Sequence, residues 1–298
     1  YYSHSIACRP IISSRPNTTH KVVEKYDKKE QSEFKECIKK YQNLSPIKID
    51  INQREVKSLD DMVCDRLNKF IKKTDNEIAS LVKLNYVKKD KGFYYRLVKK
   101  ILTGCENDVI ELMKADIEIK AVRIELDNKS KESISSKAFR FVEDIYDVDW
   151  EDSVWCNIIE KKYLFVFFKI TKEGNYILEK FRFWNMPYND RKECEKVWLK
   201  TKDIISSGEI FKDYTRNKNG DPRKNPKFGN FRRENNFPKE KENPICHVRP
   251  HGTDSMDMYP LPVEDKKLKF LEPDVCKQYA KKCFWLKNTY IRDAVYLK

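Results

Sequence analysis

Apolar residues recur every three to four positions toward the front of the chain and at every second position in its middle, and that change of period marks out the elements. A charged, weakly periodic stretch from Val22 to Tyr41 predicts a helix ending near Asn43. Ser58-Leu59-Asp60-Asp61 is a capping pattern, and the run Met62, Val63, Leu67, Phe70 and Ile71 behind it predicts an amphipathic helix. A second helix is expected over Thr74 to Leu84. A third is expected over Phe93 to Leu102, with Leu97, Val98, Ile101 and Leu102 buried and Arg96, Lys99 and Lys100 solvated. From Ile117 the pattern alternates: Ile117, Ile119 and Ala121, then Val122, Ile124 and Leu126, predict a half-buried strand. Further strands are predicted over Ala138–Phe141, Tyr163–Ile170 and Ile177–Trp184, the second of them apolar enough to lie centrally in a sheet. Arg191 to Ser207 reads as a helix. The expected class is α/β (α+β mixed sheet), with helices flanking a central mixed sheet. Residues 1–57 read as a linker and packing helix, and residues 58–298 as one folded domain.

Composition narrows the function classes. The 298 residues are 40% hydrophobic and 36% charged, too polar for a membrane protein and too rich in core formers for a disordered chain. There is no apolar run of membrane-spanning length and no signal peptide, so a cytoplasmic protein with no membrane partner is expected. The absence of a starting Met suggests the back part of a longer polypeptide. Sixty-one Lys and Arg against 47 Asp and Glu leave a net charge of +14, which favours a polyanion, nucleic acid first. A Lys-rich genome would produce the same excess without any such partner. The nine cysteines form no C-x-x-C pair and no zinc-ligand quartet, and read as reduced thiols.

Four segments carry candidate chemistry. Residues 208–244 lose periodicity and read as a long loop. It holds Arg216, Lys218, Arg223, Lys224, Lys227, Arg232, Arg233 and Lys239 interleaved with Phe228, Phe231 and Phe237. This is either a phosphate-contacting arm or a solvated loop anchored to the core by its phenylalanines. Glu118-Ile119-Lys120, preceded by Asp108, Glu111 and Asp116, places an acid and a lysine on one face of a strand, as metal-dependent nucleases require; an exposed edge strand would carry the same triplet. Ile245 to Val248 is a short apolar strand running into Arg249-Pro250-His251-Gly252, a turn stiffened by proline that could hold an arginine toward a guanine, or equally a structural salt bridge. Cys283 to Ile291 is dense in aromatics and reads first as core, although Lys287 and Asn288 on that segment could face a phosphate or a base edge.

Taken together and in order, the last three of these segments resemble the MutH-like restriction endonucleases that recognise GATC, in particular the C-terminal domain of the staphylococcal GATC-cutting type. The resemblance rests on Lys91-Gly92 through Leu102, Ala138–Phe141, Trp150-Glu151-Asp152, Tyr163–Phe168, Ile245–His251 and Phe284–Ile291, and spans Ser58 to Lys298. It implies a MutH-like fold and a DNA-binding effector. The effector would engage double-stranded GATC DNA and activate an N-terminal catalytic domain of the same polypeptide, with a homodimer left open. By the same resemblance Arg249, Pro250, His251 and Gly252 form the base-reading loop and Lys287 and Asn288 lie in the neighbouring DNA-facing segment. The basic loop residues Lys227, Arg232 and Arg233 would add phosphate contacts. The family's catalytic pattern is partly present: Glu118 and Lys120 match and Glu111 stands where the family has Asp, but Lys99 replaces the helical Glu and Tyr95 the glycine. A lysine there would repel the magnesium used by the parent enzyme. The expectation is GATC binding without cleavage. The alternative is a magnesium-dependent endonuclease or nickase with Glu111, Glu118 and Lys120 catalytic and Glu111 and Glu118 as metal ligands.

Overall fold

A strand whose side chains are apolar on both faces can only be satisfied inside two layers, and the segment Lys162–Ile170 is buried in this way. In the computed structural model, which describes residues 44–48, 58–85, 90, 92–130 and 133–298, Tyr163, Phe165 and Phe167 enter one hydrophobic core while Leu164, Val166 and Phe168 enter another. The chain is α/β in class, with mixed sheets and helices on both sides. In order its elements are β1 (Leu44–Ser45), α1 (Leu59–Leu67), α2 (Asp75–Leu81), α3 (Phe93–Thr103), β2 (Asp108–Val109), α4 (Ile110–Lys114), β3 (Ile117–Ile124), β4 (Ile134–Ser135), α5 (Val154–Glu160), β5 (Lys162–Ile170), β6 (Tyr176–Trp184), α6 (Tyr188–Ser206), β7 (Phe211–Tyr214), β8 (Arg233–Asn235), β9 (Cys246–Pro250), β10 (Met258–Pro260), α7 (Lys266–Leu271), β11 (Gln278–Ala280), β12 (Lys282–Leu286) and α8 (Asn288–Tyr290).

The central sheet has the order β3-β5-β6, with β3 parallel and β6 antiparallel to β5. Helices α1 to α4 cover one face. Their starts are chemically fixed: Ser58 accepts from Asp61 N, and Thr74 and Glu77 form a reciprocal capping box ahead of α2. Helix α3 ends on Gly104, whose φ of 81° is the left-handed conformation that terminates a helix without strain in glycine. The other face is covered by α5, α6 and a second sheet of order β4-β12-β9.

Three expectations need correction. Ala138–Phe141 forms no strand: Phe139 makes a single antiparallel bridge to Lys282, and a π-helical turn, Val142–Tyr146, follows Phe141. The alternation that suggested a strand arises because Phe139 and Phe141 pack edge-to-face with ring centres 5.7 Å apart, both in the core. The stretch 208–244 contains the antiparallel pair β7 and β8. Lys99 is buried rather than solvated. The helix expected over Val22–Tyr41 lies outside the described residues. No helix among the described residues is long and apolar enough to cross a membrane, and the seven cysteines described are free thiols.

Candidate nucleic-acid interface

Strand β9 is anchored at its start by Asn243, whose Oδ1 accepts from the backbone N of Ile245 at 2.9 Å and of Cys246 at 3.1 Å. Cys246, His247 and Val248 are buried against β12, and the strand then emerges so that Arg249 and Pro250 are exposed. Arg249 lies opposite Cys283. Its guanidinium is 3.6 Å from a Glu240 carboxylate oxygen and lies 5.7 Å from the centre of the Trp285 ring. The backbone of His251 donates to the Lys281 carbonyl at 3.0 Å, and its imidazole meets Trp285 edge-on. The predicted Arg-Pro-His-Gly turn is thus divided: its first half finishes the strand, and the chain bends from Gly252 onward, where Thr253 N donates to Asp257 and Met256 N to Asp254.

The structure brings the long basic loop to this strand end. Asn225 donates to the Ser255 hydroxyl at 3.2 Å, and the Lys227 ammonium is 3.6 Å from Asp254. Arg232, Pro250 and Gly252 therefore share the wall of one cleft. Of the loop phenylalanines only Phe237 is a core anchor; Phe228 and Phe231 are exposed, with Lys227 and Lys224 over their rings at 4.6 and 5.5 Å. Arg232 is exposed and has no carboxylate partner among the described residues. Arg233 is different: its guanidinium is ion-paired with Glu272 and mostly shielded. Lys287 also turns inward, donating to the carbonyls of Glu240 at 3.0 Å and Asn243 at 3.3 Å, so it pins the loop that opens β9. Asn288 is the half-buried first residue of α8. The exposed set at this edge is Lys227, Arg232, Arg249, Pro250 and His251.

The Glu-x-Lys strand lies elsewhere, at the start of β3. Glu118 and Lys120 do share a face, and Lys120 Nζ donates to Glu118 Oε1 at 2.5 Å and lies 5.6 Å from the Tyr163 ring centre. Each neighbouring acid has its own partner. Lys99 Nζ, buried on α3, donates to Asp108 at 3.1 Å, the Tyr95 hydroxyl donates to the same carboxylate at 3.2 Å, and Lys161 pairs with Asp116 at 3.2 Å. Glu111 accepts from Ile47 N at 3.0 Å and so holds the segment around β1. Burial and then Asp108 push the Tyr95 hydroxyl up to about 12, with Glu118 adding to the effect. Tyr163 is raised further, by burial first and then by Glu118 and Asp116. Among the described residues no three His, Cys, Asp or Glu side chains converge as metal ligands. Without such a convergence the described residues do not form the cluster of oxygen donors that a magnesium ion needs.

Two further residues at the edge lie outside the predicted DNA-contacting set. His247 is buried with neither ring nitrogen hydrogen-bonded among the described residues, and Lys282, 4% exposed, has no acidic partner among them. One lysine among so many is invisible until the fold buries it.

An α/β chain with a basic strand end and an adjoining cationic loop has the features of a nucleic-acid-binding protein, and its sequence is similar to that of a restriction enzyme. That relative is the type II restriction enzyme Sau3AI of Staphylococcus aureus, 28% identical over 267 residues, an alignment taking in 80% of this chain and 51% of the relative. The chain therefore spans about half the length of the curated relative it matches. No protein-family model matches the chain.

Proposed function

We propose that this chain is a MutH-like, DNA-binding effector domain of a type II restriction endonuclease, recognising double-stranded GATC and promoting cleavage by a catalytic domain in the same polypeptide without cutting DNA itself. The observation that carries this reading is the edge where β9 ends: Arg249 is presented on a rigid strand, and Lys227 and Arg232 are delivered beside it by a loop distant in sequence. Phosphate contacts from such cations set register and affinity, and a strand-held arginine can read a guanine with two hydrogen bonds. The similarity to a restriction enzyme supports the same partner. The absence of cleavage is supported by Lys99, paired with Asp108 where the resemblance calls for a glutamate, and by the lack of three converging ligand side chains among the described residues.

Footprinting tests this directly. On a duplex of random sequence with one central GATC, the chain is expected to protect the phosphates flanking that site and no others. Uniform protection, or none, would overturn the reading. The competing one, a magnesium-dependent nickase built on Glu111, Glu118 and Lys120, requires strand breaks that Lys120→Ala abolishes.

A further inference from the structure

Between the loop around β8 and the end of β9 lies a cleft of about 410 Å³, walled by Arg232, Asn225, Asn230, Ser255 and Pro250, with Tyr279 and Lys282 also lining it. Lys282 is the first residue of β12, opposite Pro250, and Phe139 bridges to its backbone on the other side. The fold thus fixes the position of its side chain. It is 4% exposed, yet no hydrogen bond or ion pair to it is found among the described residues; its ammonium lies 5.3 Å from the centre of the buried Tyr279 ring.

The charged groups around it do not supply a counterion. Lys281 is taken by Asp257 at 2.5 Å, Arg233 by Glu272, and Asp254, the acid of the cleft, by Lys227 at 3.6 Å. Lys239 is a like charge and Cys283 a buried thiol. Two cations, Lys282 in the cleft and Arg232 on its wall, have no acidic partner among the described residues, beside the amides of Asn225 and Asn230 and the hydroxyl of Ser255. A buried ammonium without an anion is costly to a fold, and its retention is explained when an anion completes the site.

We infer that this cleft is a phosphate-binding site, in which Lys282 and Arg232 together hold one backbone phosphate of the DNA duplex read by Arg249. The inference rests on the DNA-binding reading above and deepens it, because it assigns an anchoring contact to a residue that touches no base. Burial, and then the Lys239 charge, lower the free ammonium to about 8. A phosphate in the cleft raises it again, so binding is accompanied by proton uptake above that pH and weakens as pH rises further.

The experiment uses the full chain with GATC and scrambled duplexes, and follows two readouts. In the unmodified protein, acetylation of Lys282 by acetic anhydride at pH 8 is quantified by mass spectrometry with and without duplex, and with inorganic phosphate alone. Either duplex should suppress labelling of Lys282 strongly, and millimolar phosphate partially. In the second readout, Lys282→Met should weaken both duplexes equally, about eightfold at 0.1 M salt, and reduce the slope of log affinity against log salt by about 0.9, the release of one phosphate's counterions. Lys282→Arg should keep the slope. Labelling of Lys282 at an unchanged rate while duplex is bound would overturn the inference, as would a salt slope unaltered in a folded Lys282→Met chain. If the unmodified chain binds neither duplex the DNA-binding reading itself fails, whereas protection by phosphate in that case would leave an anion site without a nucleic-acid role.

Discussion

Replacing Arg249 with alanine separates recognition from stability. The side chain is half exposed, its ion pair with Glu240 at 3.6 Å joins two groups of 47% and 48% exposure, and its guanidinium lies 5.7 Å from the Trp285 ring centre. An exposed ion pair of that length contributes about 0 to 1 kcal/mol, and an exposed cation–π contact about 0.5 to 1 kcal/mol. Folding stability should therefore fall by no more than about 1 to 2 kcal/mol, which for a chain of this size lowers Tm by a few degrees. A guanidinium donating two hydrogen bonds to a guanine carries about 1 to 3 kcal/mol of discrimination, so the ratio of GATC to scrambled affinity should drop roughly 5- to 150-fold. Arg249→Lys should lose most of the same ratio, since an ammonium lacks the planar fork. Competition anisotropy with both duplexes at one fixed salt concentration, alongside thermal melting of each variant, gives both quantities. An unchanged affinity ratio in a folded Arg249→Ala chain would refute the assignment of this strand end to base reading.

Lys99→Glu should lower stability by about 1 to 3 kcal/mol, because it removes the buried partner of Asp108 and sets a like charge beside it; magnesium should restore part of that loss in the variant and do nothing for the parent chain, as followed by thermal melting. Asp265 is fully buried and its carboxylate accepts from Phe211 N at 2.7 Å and Leu268 N at 3.0 Å, so Asp265→Ala should cost about 2 to 4 kcal/mol in chemical denaturation by removing the cap of α7 and orphaning a buried amide. His247 is held below its usual range by burial and then by Arg249. Its unfolded form takes up a proton at higher pH than its folded form, so its contribution is complete above about pH 6.5 and is lost as pH falls through the folded value. His247→Leu should accordingly flatten the decline of stability as pH falls below about 6.5 in denaturant titrations.

Much of the fold was legible where local chemistry and packing agree. Ser58 and Thr74 announce α1 and α2 because their side chains cap those helices, and the apolar run of β5 has no alternative to a central position. The candidate site was legible only in part, because its residues are joined through tertiary contacts that no local pattern records. Arg249 could be read as exposed from the turn residues behind it, but the approach of Lys227 and Arg232 depends on Asn225 meeting Ser255, thirty positions along the chain. Lys99 stands at a position that helical spacing marks as solvated, and it turns inward because Asp108, on the following strand, provides a counterion. Lys287 and Arg233 differ in the same direction: basic side chains expected at the surface are committed to carbonyls and to Glu272. Short strands such as β7 and β8 escape any periodicity because too few residues alternate.

Titrating the chain against GATC and scrambled duplexes with and without magnesium, and running the same samples on a denaturing gel, distinguishes a DNA-binding effector from a nuclease. Selective retention of the GATC duplex with both strands intact is expected in either condition. Magnesium-dependent strand breaks at GATC, abolished by Lys120→Ala, would contradict the effector reading, as would equal retention of the two duplexes.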